Sequence, residues 1–354
     1  MDSLVTSLIE EWKTRSVEIQ NDEVVSLYFG GGTPSLLKHA QLGQIINQVL
    51  HHCTAHPSIE ITLEVNPDDI NKKSLAIWKA LGVNRLSIGI QSFDPVVLRW
   101  MNRAHDATQA INALHLCQDS GINNFNLDII YGHQKYGQLT FAEDIQQFLY
   151  FKPKHISAYA LTIEPKTLLY HQLQNSSFTP PEQEIILQDY LTLHETLGEF
   201  GMNHYELSNF AMPGFESKHN SNYWKGLPYI GIGPSAHSYD GKNKRAWNVS
   251  NNALYIQYFC GKDTSIQLTT TEFLSPRQQA NEYWMTGLRT AKGVCLDVFQ
   301  QYYSMSLTQH QYSKIKQRSS TNHLIIDGNT ITCSPEGWML LDAILSDLFF
   351  DSEE

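Results

Sequence analysis

The chain has 354 residues, of which 17% are charged, with a mean hydropathy of −0.32 and a formal net charge of −11. This composition excludes a long charged disordered tract, and the acidic balance argues against a protein that holds nucleic acid through its phosphates. No apolar run reaches the roughly 20 residues that span a bilayer, and the first residues lack the regions of a signal peptide. We therefore expect a cytoplasmic protein that is not an integral membrane protein and binds no nucleic acid.

Short apolar strands alternate with helix-like stretches through the first half of the chain. The predicted strands are 24–29, 59–65, 84–90, 124–131 and 154–161. The predicted helices are 35–52, 71–81, 106–119 and 140–151. Asp94-Pro95 is a favourable helix start, and Gly121 stands where a C-terminal glycine belongs. The alternation predicts βαβ crossovers and a parallel sheet, in either a barrel or a doubly wound arrangement.

The pattern changes in the segment 209–265. Gly, Pro, Asn, Tyr and Trp become frequent there, and the periodicity fades. This composition predicts long ordered loops, which often carry function. The part before it, 1–208, contains all of the alternating strands and helices and is predicted to be one domain.

A different unit is predicted over 266–354. Ser275 and Gln278 form a capping box ahead of a helix, and a helix pair follows over 295–318. Two short strands flank Gly328 as a hairpin, and Ser334-Pro335 starts a last helix. Helices with a hairpin predict a winged-helix-like α+β domain. Because this unit carries more acidic than basic residues, we expect a structural or partner-contacting role and not DNA binding.

Polar residues and a glycine turn follow the ends of successive predicted strands. They are the turn Gly30-Gly31-Gly32-Thr33-Pro34, then Glu64, Gln91 and Asp128, with Arg103 shortly after the third strand. The carboxyl ends of parallel strands share one edge of a sheet, so these groups are predicted to lie near one another. A single carboxylate at the end of a strand is as often a capping or loop-bracing residue as a ligand-binding one. Together the groups suit a ligand with an ammonium group, a carboxylate and ribose hydroxyls.

The motifs GGGTP, EVNP, GIQSF followed by MNRAH, and NLDIIYG, in this order, resemble the radical S-adenosylmethionine (SAM) family. The similar branch contains oxygen-independent coproporphyrinogen III oxidase and the haem chaperone HemW. The resemblance implies a partial (β/α)6 barrel with a C-terminal winged-helix-like domain. It also implies that SAM and a [4Fe–4S] cluster are cofactors of the complete family.

The resemblance assigns roles in SAM binding to individual positions. The backbone of the glycine turn is implied to hold the methionine amino group, Arg103 the carboxylate, and Asp128 a ribose hydroxyl. Glu64 and Gln91 are implied to contact the ribose and methionine portions, and the backbone at Ile130 and Ala160 to line the adenine. The implied SAM-binding residues are Gly31, Gly32, Thr33, Glu64, Gln91, Arg103, Asp128 and Ala160.

A second motif, HNSNYW from His219 to Trp224, resembles the H-N-x-x-Y-W motif of the HemW-type haem chaperones. An imidazole is a good axial ligand of haem iron, and flanking aromatic rings can stack on a porphyrin. The resemblance implies haem contact by His219, Tyr223 and Trp224, with His219 as the iron ligand. The alternative is that His219 braces a loop rich in Tyr and Trp.

The chain departs from the family in its cysteines. Radical SAM proteins carry Cys-x-x-x-Cys-x-x-Cys after the first barrel strand, whereas this chain has no cysteine before Cys53. Residues 1–20 resemble the helix that follows the cluster loop, so we expect the first βα unit and the cluster cysteines to be missing and one edge of the sheet to be unpaired. The five cysteines present are expected to be ordinary reduced thiols: Cys53, Cys117, Cys260, Cys295 and Cys333.

The function expected from the resemblance is a haem chaperone that binds haem and transfers it to an acceptor protein. The alternative is a radical SAM oxidoreductase similar to oxygen-independent coproporphyrinogen III oxidase, in porphyrin biosynthesis. A third reading is an inactive fragment that binds neither ligand. Because the cluster cysteines are missing, the sequence leaves open whether the chain is an enzyme.

Overall fold

The computed structural model describes residues 1–19, 22–133 and 136–350. At its centre is a seven-stranded sheet with the strand order β1-β2-β3-β4-β5-β7-β6. The strands are β1 Glu23–Phe29, β2 Thr54–Val65, β3 Arg85–Gln91, β4 Phe125–Tyr131, β5 His155–Ala160, β6 Asn203–Glu206 and β7 Asn209–Ala211. The first five are parallel, whereas β7 runs antiparallel to both β5 and β6. The sheet curls into a half-barrel, as the barrel interpretation of the sequence predicts.

Eight helices connect or flank the strands of this half-barrel in the described part of the chain. They are α1 Asp2–Arg15, α2 His39–His51, α3 Lys72–Ala80, α4 Pro95–Trp100, α5 Ala107–Ser120, α6 Phe141–Tyr150, α7 Leu168–Gln174 and α8 Gln183–Glu199. Their apolar sides pack on outward-facing strand residues such as Leu63, Leu86 and Leu127, which are fully buried. The apolar core therefore lies outside the curved sheet, and the concave face is left for polar side chains.

The end signals of the helices hold as predicted. Asp94 accepts hydrogen bonds from the first turn of α4, and Gly121 takes a left-handed conformation after α5. The start of the second helix differs from the prediction, because Pro34–Leu36 forms a single 3₁₀ turn and α2 begins only at His39. Strand β2 begins at Thr54, five residues earlier than predicted. Its first residues pair with β1 ahead of a register shift, and Pro57 hides this extension in the sequence.

Strand β1 is the edge strand that the sequence predicts. It pairs only with β2 among the described strands. No helix in the described part of the chain is long and apolar enough to cross a membrane.

The segment 209–265 contains more regular structure than its composition predicts. It holds helices α9 Lys218–Trp224 and α10 Asn252–Cys260 and strands β8 His237–Tyr239 and β9 Lys244–Asn248. Strand β10 Thr269–Phe273 completes a separate antiparallel sheet in the order β10-β9-β8. Strands of three to five residues are too short to show an alternating pattern, which is why the sequence suggests loops there.

A buried carboxylate fastens this segment to the first helix. Glu11 of α1 is 1% exposed and accepts hydrogen bonds from Asn248 Nδ2 at 2.6 Å, Tyr255 Oη at 2.5 Å and the Gly233 backbone N–H at 2.8 Å. Arg15 lies 3.5 Å from the same carboxylate. Three donors and one cation satisfy a charge that could not otherwise be buried.

The C-terminal unit combines helices with a three-stranded sheet. Its elements are α11 Pro276–Gly287, β11 Val294–Cys295, α12 Leu296–Tyr303, α13 Gln309–Ser320, β12 Leu324–Asp327, β13 Thr330–Cys333, α14 Pro335–Met339 and α15 Leu341–Leu348. The predicted capping box of Ser275 with Gln278 is present, and β12 and β13 form the predicted hairpin. The predicted last helix is in fact two helices, because the backbone leaves the helical conformation at Leu340.

Candidate functional site in the half-barrel

A polar cavity of about 90 Å³ lies on the concave face of the half-barrel. Side chains in strands alternate between the two faces, so the residues between the buried apolar positions of β2, β3, β4 and β5 all point into this cavity. Those that matter below include Thr62, Glu64, Ser87, Asn126, Asp128 and Ser157. The site is therefore built on rigid strands, and its chemistry is that of hydroxyls, amides and carboxylates.

The glycine turn follows β1 and lies beside Glu64 and Tyr28, two residues that line this cavity. Gly31 and Gly32 have φ angles of 77° and 62°, in the left-handed region that favours glycine, and the space beside both is open. Gly30 has no such space, because an added Cβ would lie 2.5 Å from the Tyr28 ring and 2.8 Å from Glu64. Glu64 accepts hydrogen bonds from the Gly31 N–H at 3.2 Å and the Tyr28 hydroxyl at 2.6 Å. One carboxylate thus fixes both the turn and the neighbouring tyrosine. Thr33, the last implied residue of this turn, is half-buried.

Gln91 and Arg103 meet beside the backbone of Gly89. Gln91 has a φ of 72°, and Arg103 Nη2 donates to the Asn66 Oδ1 at 2.9 Å and to the Gly89 carbonyl at 3.1 Å. The Arg103 Nε is buried and has no hydrogen-bond partner among the described residues. Burial lowers the pKa of Arg103, and no described carboxylate forms an ion pair with it. A guanidinium in this state has the chemistry to receive a ligand carboxylate, which is the role that the resemblance implies for Arg103.

Asp128 lies in the wall of the same cavity. It accepts a hydrogen bond from the Asn126 side-chain amide at 2.7 Å and a longer one from Ser87 at 3.4 Å. Burial raises the pKa of Asp128 to about 7, helped by the nearby Glu64 carboxylate and opposed by the hydrogen bond from Asn126. Ala160, the implied adenine neighbour, ends β5 opposite Tyr131. The implied SAM residues therefore follow one edge of the sheet, with Glu64 and Asp128 in direct electrostatic contact.

His219 of helix α9 lies against the half-barrel wall. Its ring stacks on Tyr28 at a centroid distance of 4.3 Å, and the Tyr223 ring meets it edge-on at 4.8 Å. The backbone N–H groups of Lys218 and His219 donate to the buried Glu60 carboxylate of β2 at 3.2 Å each. Burial lowers the pKa of His219 to about 4, so the imidazole is neutral at neutral pH. A neutral imidazole has the lone pair that iron requires.

The other two aromatic residues of the motif point in different directions. Tyr223 is 38% exposed and presents an accessible ring. Trp224 is half-buried, and its indole N–H lies near the Glu206 carboxyl without completing a hydrogen bond of ordinary geometry. Burial raises the pKa of Glu206 to about 7. The structure thus brings His219 and Tyr223 together and turns Trp224 inward.

Sequence reasoning missed several residues of this site. Tyr28, Arg85 and His155 line the cavity, and Ser217 and Asn220 at the start of α9 line it as well. The available signal was a polar residue at every second position of strands that are otherwise apolar. Tyr28 matters most, because its hydroxyl binds Glu64 while its ring supports His219.

The described residues contain no group of three or more His, Cys, Asp and Glu placed to hold a metal ion. All five cysteines are free thiols, and Cys117 and Cys333 are buried. The described part of the chain therefore offers no ligand set for a [4Fe–4S] cluster. For SAM the outcome differs, since the unpartnered Arg103 nitrogen and the open glycine turn fit an amino-acid group.

The chain matches the family model of the Radical SAM superfamily over residues 7–147 and that of the HemN C-terminal domain over 274–340. It is 31% identical to "Heme chaperone HemW" of Bacillus subtilis over 87% of this chain and 80% of the relative. It is 27% identical to the protein of that name from Lactococcus lactis, over 99% of this chain and 90% of the relative. It is 29% identical to the zebrafish "Radical S-adenosyl methionine domain-containing protein 1, mitochondrial", over 99% and 81%.

Among solved structures, the chain resembles coproporphyrinogen III oxidase (HemN) from Escherichia coli, described as a radical SAM enzyme. The TM-score is 0.80 over 98% of this chain and 82% of that one, at 20% sequence identity. At this identity the likeness concerns the fold, which agrees with the half-barrel and the C-terminal unit described above.

Proposed function

Because this chain belongs to the HemW haem chaperone family of the radical SAM superfamily, we propose that it binds haem beside helix α9 and passes it to an acceptor protein. The observation that carries the proposal is the state of His219. Its imidazole is neutral, lies between two tyrosine rings and has no side-chain hydrogen bond to another described residue. Such a nitrogen is available to iron, whereas a bracing histidine would use its nitrogens to hold the loop. The cytoplasmic location expected from the sequence is part of this proposal.

We expect the rings around His219 to provide the remaining haem contact. Tyr28 holds the imidazole from one face, and its own position is fixed by the hydrogen bond to Glu64. The Tyr229 ring extends this aromatic surface, because it contacts the Tyr223 ring edge-on at a centroid distance of 4.5 Å. Because Tyr28 lies parallel to the imidazole, it would meet a porphyrin bound at His219 edge-on, whereas the perpendicular ring of Tyr223 has an orientation that can stack on one.

The residues at the strand ends support SAM binding in the same half-barrel. When bound, SAM supplies a sulfonium group with an adenosyl substituent. The open backbone at Gly31 and Gly32 would receive its amino group, Arg103 its carboxylate, and Asp128 a ribose hydroxyl. Gln91 beside Arg103 would contact the methionine portion, and the backbone at Ala160 would border the adenine.

Haem binding is tested by titrating the purified chain with hemin and following the Soret band. We expect His219→Ala to weaken binding at least about tenfold, or about 1.4 kcal/mol, and to change the band position, because the axial ligand is lost. His310→Ala is the matched control, since that histidine is exposed on α13. Equal hemin affinity and identical spectra for His219→Ala and the parent would overturn the ligand assignment.

SAM binding is tested separately by calorimetry. Arg103→Leu is expected to weaken it by about 10- to 100-fold, because a charge-assisted hydrogen bond is lost. Arg99→Leu on the exposed side of α4 is the control. Unchanged SAM affinity in Arg103→Leu would show that the carboxylate binds elsewhere.

The alternative function is that of an oxygen-independent coproporphyrinogen III oxidase-like enzyme. The structural likeness to such an oxidase concerns the fold alone. The HNSNYW motif resembles that of the haem chaperones and therefore favours the chaperone proposal. Anaerobic incubation with coproporphyrinogen and a reductant separates the two. Formation of protoporphyrinogen would favour the enzyme, whereas release of bound haem to an apo-haemoprotein would favour the chaperone.

A further inference from the structure

Arg85 is a buried cation that the site described so far does not use. It is the first residue of β3, it points into the cavity and it is only 2% exposed. Its Nη1 donates to the Asn124 side chain at 3.1 Å, and no described carboxylate lies within 4.0 Å of the guanidinium. Burying a charge without a counter-ion costs free energy, so we expect a bound anion to pair with the Arg85 guanidinium.

A second unsatisfied group faces the same space. Thr62 lies opposite Arg85 in the sheet register, is 1% exposed, and its hydroxyl has no hydrogen-bond partner among the described residues. His155 on the far side is fully buried, and burial together with the positive charge of Arg85 holds its pKa well below the usual range. A cation, a free hydroxyl and a neutral imidazole therefore surround one part of the cavity.

The negative charges of the cavity lie away from this part. Here "above" means toward the carboxyl ends of the parallel strands. Glu64 is two residues further along β2 than Thr62 and so lies about 7 Å above it, and the Asp128 carboxylate lies at the same upper level. Glu60 lies below and is already bonded to the backbone of Lys218 and His219. Arg85 and Thr62 thus form a positively charged level of the cavity between Glu64 above and the backbone-bonded Glu60 below. Gln91, at the opposite end of β3, is six residues or about 20 Å from Arg85, so the methionine portion of SAM would lie far from Arg85, whereas the ribose at the Asp128 carboxylate would lie about 7 Å above it.

We propose that Arg85 and Thr62 form a carboxylate-binding subsite that receives a propionate of the tetrapyrrole bound at α9. This inference rests on the proposed haem binding. The cavity volume of about 90 Å³ holds a carboxylate with its two methylenes but no porphyrin ring. Tyr28 lines this cavity with one side and stacks on His219 with its ring, and Ser217 and Asn220 of the α9 turn line it too. Tyr28 and the start of α9 therefore connect the cavity wall to His219, which makes this cavity the neighbour of the proposed haem site.

The test compares hemin with hemin dimethyl ester, which has the same iron and ring but no carboxylate. The parent chain is expected to bind hemin about 10- to 100-fold more tightly than the ester, the value of one buried charge-assisted contact. Arg85→Gln should remove that difference by weakening hemin alone, and Arg85→Lys should restore part of it. Thr62→Val should weaken hemin about threefold, and Arg99→Gln on α4 should change nothing. SAM affinity should stay unchanged in Arg85→Gln.

Each contrary result has a distinct meaning. If the parent binds neither hemin nor its ester, the haem proposal fails and the subsite fails with it. If the parent binds both equally and Arg85→Gln has no effect, haem binding stands and the subsite is wrong. If Arg85→Gln weakens SAM and leaves hemin unchanged, the carboxylate belongs to SAM and the subsite is wrong. Should Arg85→Gln fail to fold, Arg85→Lys and Thr62→Val carry the same comparison, and unchanged hemin preference in both would overturn the inference.

Discussion

Asp128 is expected to make the ligand-free protein less stable as pH rises. Its folded pKa of about 7 lies above the value of about 4 for an unfolded aspartate. Below about pH 4 the carboxyl is protonated in both states and contributes nothing. Between about pH 4 and 7 only the unfolded chain ionises, so the free energy of unfolding falls as pH rises. Above about pH 7 both states are ionised, and the loss stays constant.

The variant Asp128→Asn removes this penalty without changing the shape of the side chain. A difference of about three pKa units corresponds to at most about 4 kcal/mol, and access to the cavity from solvent reduces this to about half. We expect the gain in stability to be near zero at pH 4 and about 2 kcal/mol at pH 8. The same variant should weaken SAM binding, because an amide replaces the carboxylate that accepts from the ribose.

Urea unfolding followed by tryptophan fluorescence at pH 4, 5, 6, 7 and 8 measures the gain. Asp327→Asn serves as the control for the substitution itself, since that carboxyl is exposed at the end of β12. A gain for Asp128→Asn that is the same at every pH would refute the reasoning, and so would a loss of stability at pH 8. Either result would mean that Asp128 is ionised in the folded protein well below pH 7.

Three further outcomes are expected. Hemin affinity should be constant from pH 8 to 6 and fall below about pH 5, because protonation of His219 then competes with iron; a decline centred near pH 6.5 would contradict the lowered pKa. Glu11→Ala should lower the free energy of unfolding by about 3–5 kcal/mol in a urea titration, since it leaves buried donors without their acceptor while Arg15 keeps its ion pair with Glu18. Glu18→Ala at the surface should change it by less than about 1 kcal/mol. Gly30→Ala should cost about 1–3 kcal/mol in a thermal melt and weaken hemin binding, because its Cβ displaces the adjacent tyrosine and glutamate; Gly198→Ala, which has open space, should show neither effect.

The sequence predicts the half-barrel well because each strand and helix carries its own local signal. The apolar runs mark β1 to β5, and capping residues mark helix starts, such as Asp94 in the half-barrel and Ser275 in the C-terminal unit. The grouping of Glu64 with Asp128 follows from topology, since parallel strands end at one edge. These features need no knowledge of distant contacts.

The remaining parts of the site depend on contacts between distant segments. The stacking of His219 on Tyr28 joins α9 to β1, and no local pattern announces it. The inward turn of Trp224 depends on the buried Glu206 in the same way. Arg85 lies in an apolar strand where a single charge looks incidental, and its isolation is visible only when the whole cavity is assembled. Local sequence patterns predict where strands and helices begin and end. The properties of these residues depend instead on contacts with residues that are distant in the sequence.

The Glu11 contact sets a constraint on the order in which the chain can fold as it is made. The carboxylate of α1 and its partner Asn248 are 237 residues apart, so the helix emerges from the ribosome long before its donors exist. At about 5–20 residues per second that interval is roughly 12–47 s. During this interval the Glu11 carboxylate has no protein donors and must stay hydrated. Its side of α1 therefore cannot be buried until α10 has been made. The last step in assembling the half-barrel is thereby on its first-made side, where α1 packs against α2, and a ribosome stalled before residue 248 would leave α1 open to proteases.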